Sequence, residues 1–565
     1  MNSGSTHQKA YKPDPKTLPP SRWIAPAFRR ALWALVFVLF CNPMGCYLNL
    51  EQPPFACSQD TDCPSSNLRC VQGACVSCNA STECGSEEVC RQNQCQACGS
   101  SCTWSTILAS PGKKLILNSV QVDKTGDVFV TGSYQTGLKL ETSYTSGEPA
   151  NNAFIAKVRP PSKILWVRSF RYDGELLAST ILPRPQGSLL LQIQLEASFG
   201  SNNNPAFQWD SDLKTLEYSK GTVVIALDNK GTNQWFLIAG SRGAPPQNLA
   251  LNYDKNNNLY IAGNVTGSLR WNDTTLLSET SKSRMFVFKL NSQDKQEWFQ
   301  LFENSLDVRA LHIVNETLLF VGEFSGNATW GSTKLSSNSQ SLFVAQMTLV
   351  GDPTRAVQSQ NGGMVFWRQT TNNKLEGLHI LLNWRPIEQQ PLTLGKETLK
   401  PPTTFNPDDL NSELWVLVSL TNNLIFSKAR WLHIQRSNST PFFGESIHPV
   451  LNPAGQLLVG VSSRSNTTFN DKQVLEATTL HFASVLWDVD DTTRTLQTLK
   501  GTGLQSLNSV AWGPNNGVYL LGLFAGTLTS DGNTLSTTPN SRIPSKHPSL
   551  TSYGYLWHHS AGGNP

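Results

Sequence analysis

The chain has 565 residues, 39% of them hydrophobic and 15% charged. That is too long for one ordinary core, and its wealth of Ser, Thr, Asn and Gly belongs to sheets and turns rather than long helices. The formal charge of +4 is misleading, because Lys9, Lys12, Lys16, Arg22, Arg29 and Arg30 stand against Asp14 alone in the first 30 residues; the rest of the chain is close to neutral, which excludes a global field for nucleic acid.

The first element is the uncharged run Ala31–Cys41 directly behind Arg29-Arg30. It is too short to span a bilayer and fits the apolar centre of an export signal, so residues 1–45 are read as that signal. The following Asn42-Pro43-Met44-Gly45-Cys46 resembles a bacterial lipobox. Gly45 and Cys46 match it, while Pro43 stands where an aliphatic residue is preferred. The resemblance implies lipidation at Cys46, a membrane anchor, and a place on the outer membrane or cell surface of a bacterium. Plain secretion and an uncleaved anchor are the alternatives. Residues 46–56 are a linker.

The next element, residues 57–102, holds ten cysteines, and the 463 residues after it hold none. Cys57, Cys63, Cys70 and Cys75 are followed after two residues by Cys78, Cys84, Cys90 and Cys95 at nearly the same spacing, and Cys98 and Cys102 open a truncated third copy. Units this short bury too little apolar surface to fold unaided, so they need staples. Cys-x2-Cys at Cys75/Cys78 and Cys95/Cys98 raises zinc. The lack of histidine in the segment, the even count and the export signal favour disulfides, with the connectivity open. The pattern resembles Dickkopf-N-like or EGF-like Cys-rich repeats, which implies a spacer or binding module; a stalk is expected.

From residue 103 to 565 one pattern recurs. Copies of an apolar run, a polar turn and a second apolar run appear as SVQVDKTGDVFVTG (Ser119–Gly132), ALNYDKNNNLYIAG (Ala250–Gly263), ALHIVNETLLFVG (Ala310–Gly322), HPVLNPAGQLLVG (His448–Gly460) and SVAWGPNNGVYLLG (Ser509–Gly522). Weaker copies lie at Ser179–Gln192 and around Leu378–Asn383. Each is a hairpin signature. Each hairpin is followed by a short marker such as Trp271/Leu276, Trp330/Leu335 or Phe469/Val474, then by a third strand, then by a fourth that carries Trp166, Trp235 or Trp298. Four strands per unit, with landmarks from Val128 to Val518 spaced 59 to 79 residues apart, describe a β-propeller. Seven hairpins give seven blades, six or eight being the counts if the poor fifth copy is misread. The last copy stops at Tyr553–His559 without a fourth strand, and Trp104–Leu108 resembles the missing one. The fold class expected is therefore an all-β propeller closed by an N-terminal strand, preceded by the disulfide-rich module.

The residues Val122-Asp123-Lys124-Thr125-Gly126-Asp127-Val128-Phe129-Val130-Thr131-Gly132 and Ala153-Phe154-Ile155-Ala156-Lys157 resemble the SBBP family of bacterial propeller repeats, as do Asp254, Tyr260, Gly263, Phe286, Phe288, Lys289 and Trp298. The resemblance spans about 460 residues and is degenerate in copies two, five and six. It implies an exported propeller whose partner the family leaves undefined.

No Gly-x-Ser-x-Gly, Walker, dinucleotide or HExxH motif is present, so no catalytic residue, cofactor or metal is assigned. Asp123, Asp127, Asp254 and Asp273 are read as turn-capping residues rather than calcium ligands, His558-His559 as an exposed strand end, and the tryptophans as packing between blades. The expected function is that of a non-catalytic binding or scaffold protein, monomeric, taking a protein or glycan ligand and no nucleic acid. A hydrolase or lyase with a site at the channel mouth is the alternative. The insertions Trp384–Ser412 and Trp431–Glu445 are the expected binding loops.

Overall fold

The computed structural model describes short strands at 68–71, 74–77, 88–91, 94–97 and 104–109, and most strands and turns between 115 and 560. Residues 1–45, expected to be an export signal, and Cys46, Cys57, Cys63, Cys78, Cys84, Cys98 and Cys102 lie outside the described residues. In the cysteine-rich part only backbone pairing is described. Leu68–Val71 pairs with Ala74–Ser77, and Glu88–Arg91 with Gln94–Ala97; Cys70 is opposite Cys75, and Cys90 opposite Cys95. The duplication in the sequence is thus a duplicated hairpin. The chain divides into compact units at residues 77 and 78.

The larger unit is a β-propeller. Its sheets share one plan, an antiparallel meander of inner, second, third and outer strands. Sheet 1 runs Ile116–Val122, Val128–Tyr134, Asn152–Arg159 and Lys163–Tyr172; sheet 2 runs Gly174–Pro183, Leu189–Ala197, Lys220–Leu227 and Asn233–Ser241. Sheet 3 is Ala250–Tyr253, Leu259–Val265, Arg284–Leu290 and Gln296–Phe302, and sheet 4 is Asp307–Val314, Thr317–Trp330, Thr333–Thr348 and Pro353–Gln360. Sheets 5 and 6 begin at Met364–Asn373 and Ser446–Leu451. Sheet 7 takes Gln505–Trp512, Gly517–Phe524 and Tyr553–Ser560 from the chain end, and its outer strand is Trp104–Ala109, with His558 opposite Trp104.

Each sheet stands on edge, so both faces of its middle strands are covered. That is why Val128–Tyr134 and Leu259–Val265 are buried at every residue and each opens on consecutive apolar residues instead of an alternating pattern. The glycine that ends five of the repeat hairpins has a steric cause. A Cβ on Gly132 would meet the Ile116 carbonyl at 2.4 Å and the Phe154 ring at 2.6 Å, and one on Gly522 the Ser506 carbonyl at 2.0 Å.

One apolar cluster fills each seam. Phe129, Ile155 and Phe170 of sheet 1 meet Leu191 and Ile225 of sheet 2. Leu190 and Val224 meet Ile261 and Phe286 across the next seam. The series continues through Tyr260 with Phe320, Val344 with Val416, Trp415 with Val459, and Leu458 with Leu520. Leu521 and Leu556 of sheet 7 then pack with Val130 and Phe154 of sheet 1, which closes the ring. Beside the axis, the Val120 amide donates to Ser509 Oγ at 3.2 Å, Asn252 Nδ2 to the Leu311 carbonyl at 3.0 Å, and His448 Nε2 to the Leu507 carbonyl at 2.8 Å.

The marker after each hairpin proves to be a second interlock. Between its second and third strands, a sheet sends out a small hairpin that pairs with the outer strand of the sheet before it. Ala206–Trp209 pairs with Lys163–Tyr172, Leu269–Trp271 with Asn233–Ser241, and Thr467–Phe469 with Phe426–Arg436. Its aromatic residue wedges into the seam. Trp209 stacks on Phe170 at 5.5 Å and Trp330 on Phe302 at 5.3 Å, while Trp271 meets Phe288 edge-on at 5.7 Å.

Both insertions expected as binding loops are partly structural. Residues 384–412 include the hairpin Leu392–Leu394 and Glu397–Leu399, which pairs with Pro353–Gln360. Trp431–Arg436 is the end of a strand, and residues 437–445 lie outside the described part.

Candidate functional site

The antiparallel plan puts all inner–second and third–outer turns on one face of the ring and the remaining connections on the opposite rim. The two ends have different chemistry.

On the turn face the repeat residues build a closed electrostatic unit. Asp123 Oδ1 accepts the amides of Thr125 at 2.8 Å and Asp127 at 3.0 Å, which is an Asx turn closed by Gly126 at φ +87°. Below it the buried Lys157 ammonium lies 3.0 Å from Asp127 Oδ2, 3.4 Å from Asp123 Oδ2 and 5.0 Å from the Phe129 ring centre. Arg159 grips the other side of Asp127 at 2.9 and 3.2 Å. Burial alone would raise the Asp127 carboxyl; the hydrogen bonds from Arg159 and Lys157 outweigh it and hold the group below its ordinary value. Sheet 3 repeats the device. Asp254 Oδ1 caps Asn256 and Asn258 at 2.8 and 2.9 Å, and Lys289 sits over Tyr260 at 5.3 Å. Asp123 and Asp254 are therefore turn caps, as their spacing suggests, whereas Asp127 is an ion-pair residue. Asp273 lies in the small hairpin turn between Trp271 and Thr274.

Sheet 7 carries His558 at the position of Lys157 and Lys289, opposite Trp104 as they are opposite Trp166 and Trp298. Its ring centre lies 4.6 Å from that of Tyr519. His558 is thus a half-buried packing residue and not the exposed strand end expected. The tryptophans pack between sheets: Trp209, Trp330, Trp415 and Trp557 are among the largest fully buried side chains.

The opposite rim holds a pair of carboxyl groups. Where sheet 4 starts, Asp307 pairs in register with Glu323, so both carboxyl side chains lie on one face of the sheet, roughly 5 Å apart at Cβ. Asp307 Oδ2 is 2.6 Å from Arg309 Nη2, while Oδ1 is buried without a hydrogen-bond partner. Burial raises the Asp307 carboxyl above its ordinary value, and Arg309 draws it part of the way back. Glu323 is buried against Gln340. Asn264 fixes the entry of this strand, its Oδ1 accepting the Val308 amide at 2.9 Å and its Nδ2 donating to the Leu306 carbonyl at 2.6 Å. Such a carboxyl pair can hold a cationic or hydroxyl-bearing group, or exchange a proton with it. The sequence signal was a pair of charges, Asp307 and Arg309, inside an otherwise apolar inner strand. Among the described residues no three of His, Cys, Asp or Glu gather to hold a metal ion.

No protein-family model matches the chain, and no curated protein matches it. No family match supports the SBBP resemblance read from the sequence. Solved structures with a similar strand arrangement include a catalytically inactive virginiamycin B lyase from Staphylococcus aureus with quinupristin, at 8% identity and TM-score 0.31, covering 80% of this chain and 99% of that one. The GH43 protein BlXynB from Bacillus licheniformis is similar at 10% identity and TM-score 0.24, covering 82% and 97%. An endo-1,5-alpha-L-arabinanase from Thermotoga petrophila is similar at 8% and 0.20, covering 80% and 98%.

Proposed function

We propose that the chain is an exported binding protein, lipid-anchored at Cys46, in which a disulfide-rich stalk carries a seven-bladed propeller that presents one rim to a protein or glycan. The observation that carries this reading is the division of labour in the ring. Every seam is filled by its own apolar cluster, five of the sheets gain an added hairpin, and the longest connections, 386–411 and 525–552, both leave from the rim that holds Asp307. A rigid ring with long connections on one side is the arrangement of a recognition platform.

A second reading, an extracytoplasmic hydrolase or lyase, is favoured by one feature alone, the raised carboxyl of Asp307 beside Glu323. Two measurements test these readings. Palmitate labelling in a bacterial host, blocked by globomycin and lost in Cys46→Ala, supports the anchor; labelling unchanged in Cys46→Ala sinks it. Replacing residues 402–410 by a short Gly-Ser linker should abolish binding to glycan or envelope-protein arrays with the melting temperature unchanged. If binding survives, or if glycan turnover is seen and vanishes in Asp307→Asn, the scaffold reading fails.

A further inference from the structure

The turn face has a charge distribution that the fold does not need. In sheets 1 to 3 its acids are spent internally. Asp123 and Asp127 are buried against Lys157, Asp228 caps the amides of Lys230 and Thr232, and Asp254 caps its own turn. Asp294 is taken by Arg184, and Glu297 by Lys289 at 2.7 Å. The cations of the same turns point outward: Lys124, Arg159, Lys163, Lys230, Lys255 and Lys295 are all exposed. Lys255 meets Glu316 of the next turn and Arg159 is held by Asp127; Lys124, Lys163, Lys230 and Lys295 form an open basic arc.

The same face carries the exposed large apolar side chains of the described residues. Val350, 73% exposed, sits in the Thr348–Asp352 turn of sheet 4, and Ile425, 56% exposed, in the Thr421–Ile425 turn of sheet 5. In the third–outer turns of sheets 2 and 3 the tips are Asn229, Lys230, Ser292 and Gln293. Leu424, next to Ile425, packs in one cluster with Val314 at the turn end of sheet 4, which places both turns on this face.

Finally, the chain enters the ring here. The outer strand of sheet 7 runs from Trp104, opposite His558, to Ala109, opposite Gly554, and His558 is at the turn end beside Tyr519.

We propose that this face docks on an anionic lipid surface, the basic arc of sheets 1 to 3 lying over the headgroups and Val350 and Ile425 reaching between them. A single acyl chain holds a protein to a membrane only marginally, and a polybasic patch is a second signal that makes attachment stable. Each Lys or Arg near an anionic surface adds to the attraction within a Debye length. The docking stands on the face itself; that this membrane also holds the anchor rests on the tethered reading above. The opposite rim, with Asp307 and the long connections, then faces away from the lipid.

The test uses the full chain carrying Cys46→Ser, so that acylation plays no part. Hydrogen exchange is followed on vesicles of phosphatidylcholine with and without about 30% phosphatidylglycerol, chosen to add surface charge. The expected result is protection of the turns at 123–127, 228–232, 348–352 and 421–425 on the charged vesicles only, removed by about 0.5 M salt as the charges are screened. The joint variant Lys124→Glu, Lys163→Glu, Lys230→Glu, Lys295→Glu should bind at least about tenfold more weakly with an unchanged melting temperature. Equal protection on neutral vesicles, protection absent from these turns, or salt-insensitive binding overturns the proposal, as does a charge-reversed variant that binds like the parent. Palmitate labelling of the parent chain reports on the anchor separately, so loss of the one leaves the other standing.

Discussion

Sheets 1 and 2 close the same turn with opposite charges. In sheet 1 Asp123 starts the turn, its amide donating to Asp127 O at 2.9 Å, and its side chain caps the turn from within. In sheet 2 Arg184 starts it, with the matching bond to Ser188 O at 2.8 Å. Arginine has no acceptor with which to cap. It reaches the next sheet instead, gripping Asp294 in two bonds of 2.9 and 2.8 Å and lying 5.0 Å from the Tyr253 ring centre. The position under the turn changes in step: Lys157 in sheet 1 becomes Ala226 in sheet 2, where no buried carboxylate needs a counter-ion. Asp294 bears a cost for its part, since it holds φ +59° where the turn of sheet 2 has Gly231 at +77°. A degenerate repeat has here exchanged a bond within one sheet for a bond between two.

Breaking the sheet 1 arrangement should have the largest effect. Lys157→Ala leaves Asp123 and Asp127 buried with only Arg159 nearby, and a loss of about 3–4 kcal/mol in urea unfolding is expected. Asp127 also sets a pH signature. Its folded carboxyl titrates below the ordinary value, so the stability it contributes is complete above the ordinary carboxylate range and is lost as pH falls through the folded value. Asp127→Asn should flatten the acid limb of a stability–pH curve.

His312, on the inner strand of sheet 4, extends the comparison to a half-buried group held by no opposite charge. Burial pushes it down to about 4 from 6.5. The folded state therefore keeps the ring neutral while the unfolded chain takes up a proton, and stability should fall between those two values, by about 1–3 kcal/mol. A stability–pH curve for His312→Gln that keeps the same slope between pH 6 and 4 removes the assignment.

The between-sheet bond of sheet 2 is next. Arg184→Ala should cost about 1–3 kcal/mol, because Asp294 keeps its unfavourable backbone and loses its partner. Asp294→Gly loses the same pair but relieves the left-handed φ, so it should cost about 1 kcal/mol less. Equal losses would show that the backbone of Asp294 is not strained. The smallest effect belongs to Lys255→Ala, whose pair with Glu316 is open to solvent on both sides. No measurable shift in melting temperature is expected.

The propeller was legible in the sequence because its signals are local. A middle strand covered on both faces opens on consecutive apolar residues, as Val128–Val130 does. A turn needs Asp and Gly at set positions, as at Asp123 and Gly126. A close backbone approach needs Gly132 and Gly522. The strand Trp104–Ala109 was visible for the same reason, since it carries the tryptophan of an outer strand.

The outer hairpins were seen only as a spacing of Trp271 and Leu276, because their partner strand belongs to another repeat and no pattern within one repeat names it. His558 read as a strand end, and only the register against Trp104 and Tyr519 shows that it occupies the position of Lys157. Asp307 and Glu323 are 16 residues apart and look like two unrelated surface charges until antiparallel pairing sets them side by side. What the sequence determined by itself was the class of element and its repeat, which depend on burial and backbone geometry along a short stretch. The tertiary structure alone decided which charges are paired across sheets, which carboxyl is buried beside another, and which face collects the unpaired lysines, because these depend on distances between residues that the chain brings together only when the ring closes.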